Sequence, residues 1–293
     1  MLEKSAELSP FVADMSERIG GHAGAYATEV YVYLDDEDSI PHDQQPPPPP
    51  TTERALLDSF AQHVETVVST YDPPGIRRTG DSLVFRHMYA DSASQHLTES
   101  HPFERLTAQL SALLAAEVEF RGPLRLSRTQ NHDLAQIYEA LGQAMIAARL
   151  PAHAALALRR AGGLYRIDED NDAEDRCGLA LAQAKRLAQP TAFKRIAGLF
   201  PDLVCGYGYR PFRMLWFVAL QLVIFTIAIA FSSHDPIAFT VYKVLVNYLN
   251  PLGLGDTDSL RPAARPLYVI ECYVGAVTMS VFFALLVRRW FRL

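Results

Sequence analysis

A short glycine-containing stretch near the C-terminus has the clearest chemical potential, Leu252-Gly253-Leu254-Gly255-Asp256. Two glycines one residue apart permit alternating backbone twists that aim successive carbonyl oxygens in one direction. Rings of such carbonyl oxygens replace the hydration shell of a permeating ion. The stretch therefore predicts a backbone binding site for a cation.

The apolar segment Ala238–Leu249 leads directly into these glycines. It is too short to cross a bilayer, which takes about 20 apolar residues. A half-helix that dips into the bilayer accounts for it, because non-helical backbone is tolerated at membrane depth only where it lines a cavity. The negative C-terminal end of this half-helix would face the cavity and favour a cation.

Two longer apolar segments flank the half-helix. Met214–Phe231 has no charged residue, and Leu267–Val287 carries only Glu271. Each segment is close to the length of a membrane span. Basic residues are in excess before the first span and after the second, and residues 232–266 have no such excess. The positive-inside rule predicts two passes, with both termini in the cytoplasm.

The order span, half-helix, G-x-G-D and second span resembles the two-transmembrane pore module of the potassium channel superfamily, over about residues 210–292. The resemblance implies a homotetramer in a bacterial inner membrane that conducts K⁺ or another monovalent cation. It also implies a gating hinge at Gly275. The candidate filter and pore residues are Asn250, Pro251, Leu252, Gly253, Leu254, Gly255 and Asp256.

The chain departs from this family at two positions. The family has a threonine where Pro251 stands, and proline supplies neither that hydroxyl nor an N–H. Leu254 replaces a tyrosine that braces the filter. A poorly selective pore therefore stays open as an alternative. Glu271, near the outer end of the second span, is a candidate pore-associated charge. Its alternatives are a position at the outer interface and an ion pair with Arg265.

The N-terminal part of the chain predicts an α+β domain. Alternation and turn signals give the order β-α-β-β-α-β, which is typical of a ferredoxin-like plait over residues 26–130. The predicted strands are Thr28–Leu34, Gly75–Arg78, Ser82–Met88 and Glu117–Leu126, and the predicted helices are Thr52–Ser69 and Pro102–Ala116.

This plait weakly resembles class III nucleotide cyclase domains. Asp35 or Asp36 follows the first predicted strand, and Asp81 lies at the predicted hairpin. The resemblance implies a vestigial metal or nucleotide site at Asp36 and Asp81. The glycine, phenylalanine and threonine expected after the first aspartate are missing. We therefore predict no catalytic residues and no enzyme, but a scaffold that binds a ligand or mediates assembly.

The remaining boundaries follow from composition. We predict an N-terminal segment (1–25), a proline-rich loop (46–50), tetratricopeptide-like helices (131–190), a membrane-surface linker helix (191–210) and an all-α two-span pore domain (211–293). The acidic stretch Asp168–Asp175 lacks the glycine and glutamate of a calcium loop, and is interpreted as a helix connection. The net charge of −6 argues against a nucleic acid partner.

Three hypotheses follow. The first is a tetrameric cation channel gated by its cytoplasmic domain, through an unknown ligand or signalling protein. The second is a membrane-depolarising signalling or phage-defence effector with a poorly selective pore. The third is a membrane-anchored adaptor or degenerate nucleotide cyclase that uses its spans only as anchors in the lipid.

Overall fold

The computed structural model describes residues 9–38, 52–72, 82–95, 101–233, 236–250, 261–262 and 264–290, apart from the side chains of residues 36–38 and 289. The chain divides into two units, Met1–Lys194 and Arg195–Leu293. All regular elements in these ranges are helical.

The helices of the first unit are α1 (Pro10–Asp38), α2 (Glu53–Thr70), α3 (Arg86–Gln95), α4 (Pro102–Arg121), α5 (Arg128–Ala147), α6 (Pro151–Ile167) and α7 (Asn171–Leu187). The short helix α8 (Ala192–Ala197) crosses the boundary between the units. The second unit contains α9 (Leu199–Cys205), a 3₁₀ turn (Gly206–Gly208), α10 (Arg213–Ser233), α11 (Ile237–Leu249) and α12 (Arg265–Trp290).

The predicted ferredoxin-like plait is wrong, since the described residues contain no strand. Residues 28–34 belong to the long helix α1. Their alternation is local, whereas buried residues recur at helical spacing from Met15 through Ile19 and Tyr26 to Val30. Val32, which alternation would place in a core, is 56% exposed.

Two of the other three predicted strands are also wrong. Residues 117–121 extend α4. Of the predicted strand Ser82–Met88, residues 82–85 form a turn and residues 86–88 begin α3. The predicted strand at 75–78 lies outside the described residues. The helices predicted at 52–69 and 102–116 are present as α2 and the first part of α4.

Helix α4 is the centre of the first unit. Residues 112–119 are at most 1% exposed, because α4 packs against α1, α2, α3 and α5. A helix buried on all sides shows no amphipathic period. Residues 112–116 are all apolar, and residues 117–120 then alternate between glutamate and an apolar residue, which is a pattern typical of a strand.

Two carboxylates on α4 are buried and fully partnered. Glu117 accepts hydrogen bonds from the Tyr138 hydroxyl at 3.0 Å, from Arg160 Nε at 2.9 Å and from Arg121 Nε at 2.8 Å. Burial, followed by the charge of Glu117, raises the pKa of Tyr138, so this phenol stays protonated as the donor. Glu119 accepts hydrogen bonds from the Val84 N–H and the Tyr89 hydroxyl. These bonds fix α3, α5 and α6 to α4.

Helices α5, α6 and α7 pack in succession. At the α5–α6 contact a Cβ added to Gly142 would lie 2.6 Å from Leu158 Cγ, so only glycine allows this approach. Of the acidic connection predicted at 168–175, only residues 168–170 connect α6 and α7, since residues 171–175 begin α7. Asp170 caps α7 by accepting a hydrogen bond from the Ala173 N–H.

We predict that Gly142→Ala destabilises the α5–α6 pair by about 1–3 kcal/mol, because the new methyl group overlaps a fully buried leucine. Hydrogen exchange of the α5 and α6 amides in the full chain should accelerate about tenfold or more.

Gly163→Ala is the matched control. A Cβ at Gly163 meets nothing within 4 Å, so alanine should stabilise α6 by about 0.5–1 kcal/mol through helix propensity. Equal exchange in both variants would contradict the packing argument.

Candidate pore module

Two helices of the second unit are long and apolar enough to cross a membrane. Arg213–Ser233 has a mean hydropathy of 2.4 and Arg265–Arg288 one of 2.0. Only 11% and 22% of their most apolar windows are buried in the chain, so neither is the core helix of a compact unit. The chain therefore has two candidate spans; their orientation stays a prediction.

Helix α11 lies between these spans in sequence and packs against both of them. It has 13 residues, and its buried face includes Thr240, Val244 and Tyr248, one helical turn apart, together with Lys243 and Asn247. Its opposite face exposes large apolar side chains, among them Tyr242 (63%) and Leu249 (59%). A short helix that is apolar on its uncovered face suits a lipid or protein environment better than water.

A polar contact joins α10, α11 and α12. The side-chain oxygen of Gln221 accepts hydrogen bonds from the Tyr248 hydroxyl and from Thr278 Oγ1, the latter at 3.3 Å. Sequence reasoning missed this contact. Gln221 could have indicated it, because it is the only strongly polar residue in the first apolar segment.

A second polar contact joins α11 to α12 alone. The Asn247 amide donates hydrogen bonds to the Tyr268 carbonyl at 2.8 Å and to Glu271 Oε2 at 2.9 Å. Glu271 is fully buried, and its Oε1 has no hydrogen-bond partner among the described residues. The structure thus places this carboxyl inside the α11–α12 contact, not in an ion pair with Arg265.

Gly275 lies where α12 passes the last turn of α11. An added Cβ would be 2.9 Å from the Tyr248 carbonyl oxygen and 3.2 Å from its ring. The absence of a side chain allows the two helices to approach this closely. The role of Gly275 as a gating hinge stays a prediction.

The chain leaves the last helical turn of α11 at Asn250. Its N–H donates to the Val246 carbonyl, and its own backbone is extended. The helix predicted at 238–249 is therefore present with almost the same bounds, and its re-entry into a bilayer stays a prediction. The candidate filter residues Pro251, Leu252, Gly253, Leu254, Gly255 and Asp256 lie outside the described residues.

Helix α11 also carries a buried cation. Lys243 is 9% exposed, and its ammonium lies 4.3 Å from the centroid of the Phe239 ring. The geometry is that of a cation–π contact. It places a positive charge on the same helix as Asn247, on the side that the rest of the unit covers.

The linker before α10 forms two short helices rather than one. In α9, Val204 packs against Met214 and Phe282, while Leu199 and Leu203 on the same helix are 50% and 78% exposed. The turn that follows has positive φ at Gly206 and Gly208, and Tyr207 donates its hydroxyl to the Gly198 carbonyl at 2.7 Å. This GYG triplet is therefore a structural turn; the membrane-surface role of the linker stays a prediction.

The strand and hairpin that were predicted to position Asp36 and Asp81 are not present in the described residues of the first unit. Asp36 lies within α1 instead of following a strand, and Asp81 lies outside the described residues. No cluster of three or more His, Cys, Asp or Glu in the described part of the chain could hold a metal ion. Burial, followed by Glu139, raises the pKa of the Cys177 thiol to about 12, so it is protonated at neutral pH.

We predict that Gly275→Ala lowers the melting temperature of the full chain in detergent. The clash is with a backbone carbonyl, so no neighbouring side chain can turn away to relieve it. Ala276→Val, which adds more volume at the exposed neighbouring position, should melt like the wild type. A wild-type melting temperature for Gly275→Ala would contradict close packing at this glycine.

Asn247→Leu should destabilise the second unit by about 2–3 kcal/mol, because it leaves the buried Glu271 carboxyl without a hydrogen-bond partner among the described residues. The double variant Asn247→Leu/Glu271→Leu should recover most of this loss, since replacing both partners by apolar groups is nearly neutral. Thermal melting of the wild type, the double variant and the two single variants, Asn247→Leu and Glu271→Leu, completes the double-mutant cycle. Additive losses would show that the pair is not coupled.

Compared with protein family models, curated proteins and solved structures, the chain matches none. The likeness to the potassium channel pore module is thereby neither confirmed nor contradicted. Its support consists of the sequence pattern and the geometry around α11.

Proposed function

We propose that this chain is the subunit of a cation channel in which residues 250–256 form the ion pathway. One observation carries the proposal: a 13-residue apolar helix, too short to span, is packed against two span-length helices. The polar contacts of Asn247 and Tyr248 hold its C-terminal turn. The chain leaves that turn directly into the Gly253–Asp256 stretch.

The chemistry of this arrangement favours cations. The last carbonyl groups of α11 carry the negative end of its dipole. The backbone carbonyls of Gly253 and Gly255 would replace the hydration shell of K⁺ or another monovalent ion. No cofactor is needed for this role.

A single chain does not enclose a pore, so the proposal includes a homotetramer. The exposed apolar residues of α11 and α12, such as Tyr242 and Tyr273, offer surfaces for contact with further copies and with lipid. The proposed location is a bacterial inner membrane, with both termini in the cytoplasm and the first unit as the sensor of a ligand or protein.

Pro251 favours a second version of this function. Proline removes an N–H and a hydroxyl at the innermost position of the filter. A pore with this change would conduct several cations and depolarise the membrane. The chain would then act as a signalling or phage-defence effector rather than as a K⁺ channel.

The test is ion flux from liposomes that contain the purified full chain, with K⁺ and Na⁺ gradients compared. Wild-type protein should release ions, and Gly253→Ala should reduce the flux about tenfold or more because it blocks the required backbone twist. Gly163→Ala, a substitution in the first unit that meets no neighbour, is the matched control.

The ratio of the two fluxes distinguishes the two versions. Flux of K⁺ alone supports a selective channel, and flux of both ions supports the depolarising effector. Unchanged flux in Gly253→Ala, or a purified particle that contains one chain by light scattering, would contradict the proposal and favour spans that serve only as anchors.

A further inference from the structure

A cavity of about 730 Å³ lies between α3, α4 and α5 in the first unit. Small-molecule sites in proteins have volumes of about 300–1,000 Å³. Part of its lining consists of alanines, Ala112, Ala140 and Ala144, next to Leu83 and Leu141. The cavity opens at the surface, where Ala140 is exposed, and the small alanine side chains leave its floor unfilled.

Ser92 places an unpartnered polar group at this cavity. Its side chain lines the cavity from α3, the residue is 4% exposed, and it makes no hydrogen bond to any described residue. A serine within a helix often donates to the carbonyl one turn earlier, and this one does not. Because Ser92 lines the cavity, its hydroxyl is available to hydrogen-bond a molecule bound there.

Two opposite charges line the same cavity. Arg86 comes from α3 and Asp133 from α5. Neither forms an ion pair with the other or with any other residue that the structure describes. A ligand that carries both an anionic and a cationic group would satisfy both side chains at once.

We propose that this cavity binds a small zwitterion with an apolar side chain, of the α-amino acid class. Arg86 binds the carboxylate, Asp133 binds the ammonium group, and the alanine and leucine surface receives the apolar side chain. The Ser92 hydroxyl gains a hydrogen-bond partner on the ligand.

The balance of charge separates this class from others of similar size. A nucleotide would bring several negative charges to a cavity with one guanidinium and one carboxylate, and Asp133 would repel it. A fatty acid would satisfy Arg86 and leave Asp133 without a partner. The zwitterion is the class that leaves no charge at the cavity uncompensated.

The experiment is calorimetric titration of the full chain in lipid nanodiscs with L-phenylalanine and L-leucine. N-acetyl-L-phenylalanine lacks the ammonium group, and L-phenylalaninamide lacks the carboxylate. We expect one or both free amino acids to bind, and each phenylalanine derivative to bind about tenfold more weakly or worse than L-phenylalanine.

Charge-neutralising variants assign the two ends of the ligand. Asp133→Asn should weaken the binding of L-phenylalanine. It should leave the binding of N-acetyl-L-phenylalanine unchanged, because that derivative lacks the ammonium group that Asp133 binds. Arg86→Gln should likewise weaken the binding of L-phenylalanine and leave that of L-phenylalaninamide unchanged, because the amide lacks the carboxylate that Arg86 binds. Both side chains lie at the surface, so neither change is expected to prevent folding.

A filling variant tests the location independently of charge. Ala140→Leu places bulk in the cavity and should abolish binding, whereas Gln143→Leu, at an exposed position on the same helix that does not line the cavity, should not.

Three results would overturn the proposal. These are no binding of either amino acid at millimolar concentration, equal binding of the derivatives, or ATP that binds and is lost in Ala140→Leu. Ion flux does not enter any of these readouts, so the zwitterion site and the channel function succeed or fail separately.

Discussion

The arrangement of the second unit depends on the close approach of α12 to the last turn of α11, which Gly275 permits. The amide of Asn247 reaches Tyr268 and Glu271 only because the two helices lie this close. Tyr248, whose carbonyl contacts Gly275, uses its hydroxyl to reach Gln221 on α10. In hydrocarbon no water would replace these partners, so contact and hydrogen bonds stabilise each other.

In the first unit, buried carboxylates rather than amides fix the positions of neighbouring helices. Helix α4 is covered on all sides, and apolar packing alone would leave its rotation and register weakly defined. Glu117 binds Tyr138 and Arg160, and Glu119 binds Tyr89 and the Val84 N–H. Because each carboxylate accepts several donors, the neighbouring helices have one arrangement that satisfies them all.

The length of a sequence pattern decides how well it predicts the structure of this chain. The spans and the half-helix rest on apolar runs whose length alone is informative, and α11 begins within one residue of its predicted start. The strand at 28–34 rested on seven residues, whereas the helical pattern from Met15 to Val30 was longer and decided the structure. Partners such as Gln221 and Tyr248 are distant in sequence and compatible with many pairings, so no local pattern identifies them.

The polar contacts of the proposed pore module also bear on its selectivity. They lie between α11 and the two spans, and they define where the chain leaves α11 at Asn250. In the proposed channel they would orient the start of the ion pathway without depending on Pro251 or Leu254. If Gly253 and Gly255 coordinate an ion as proposed, these contacts would support them whether or not a tyrosine braces the filter. Under the proposed function, conduction and discrimination between ions would have separate physical origins, and the departures from the potassium channel pattern would affect the second far more than the first.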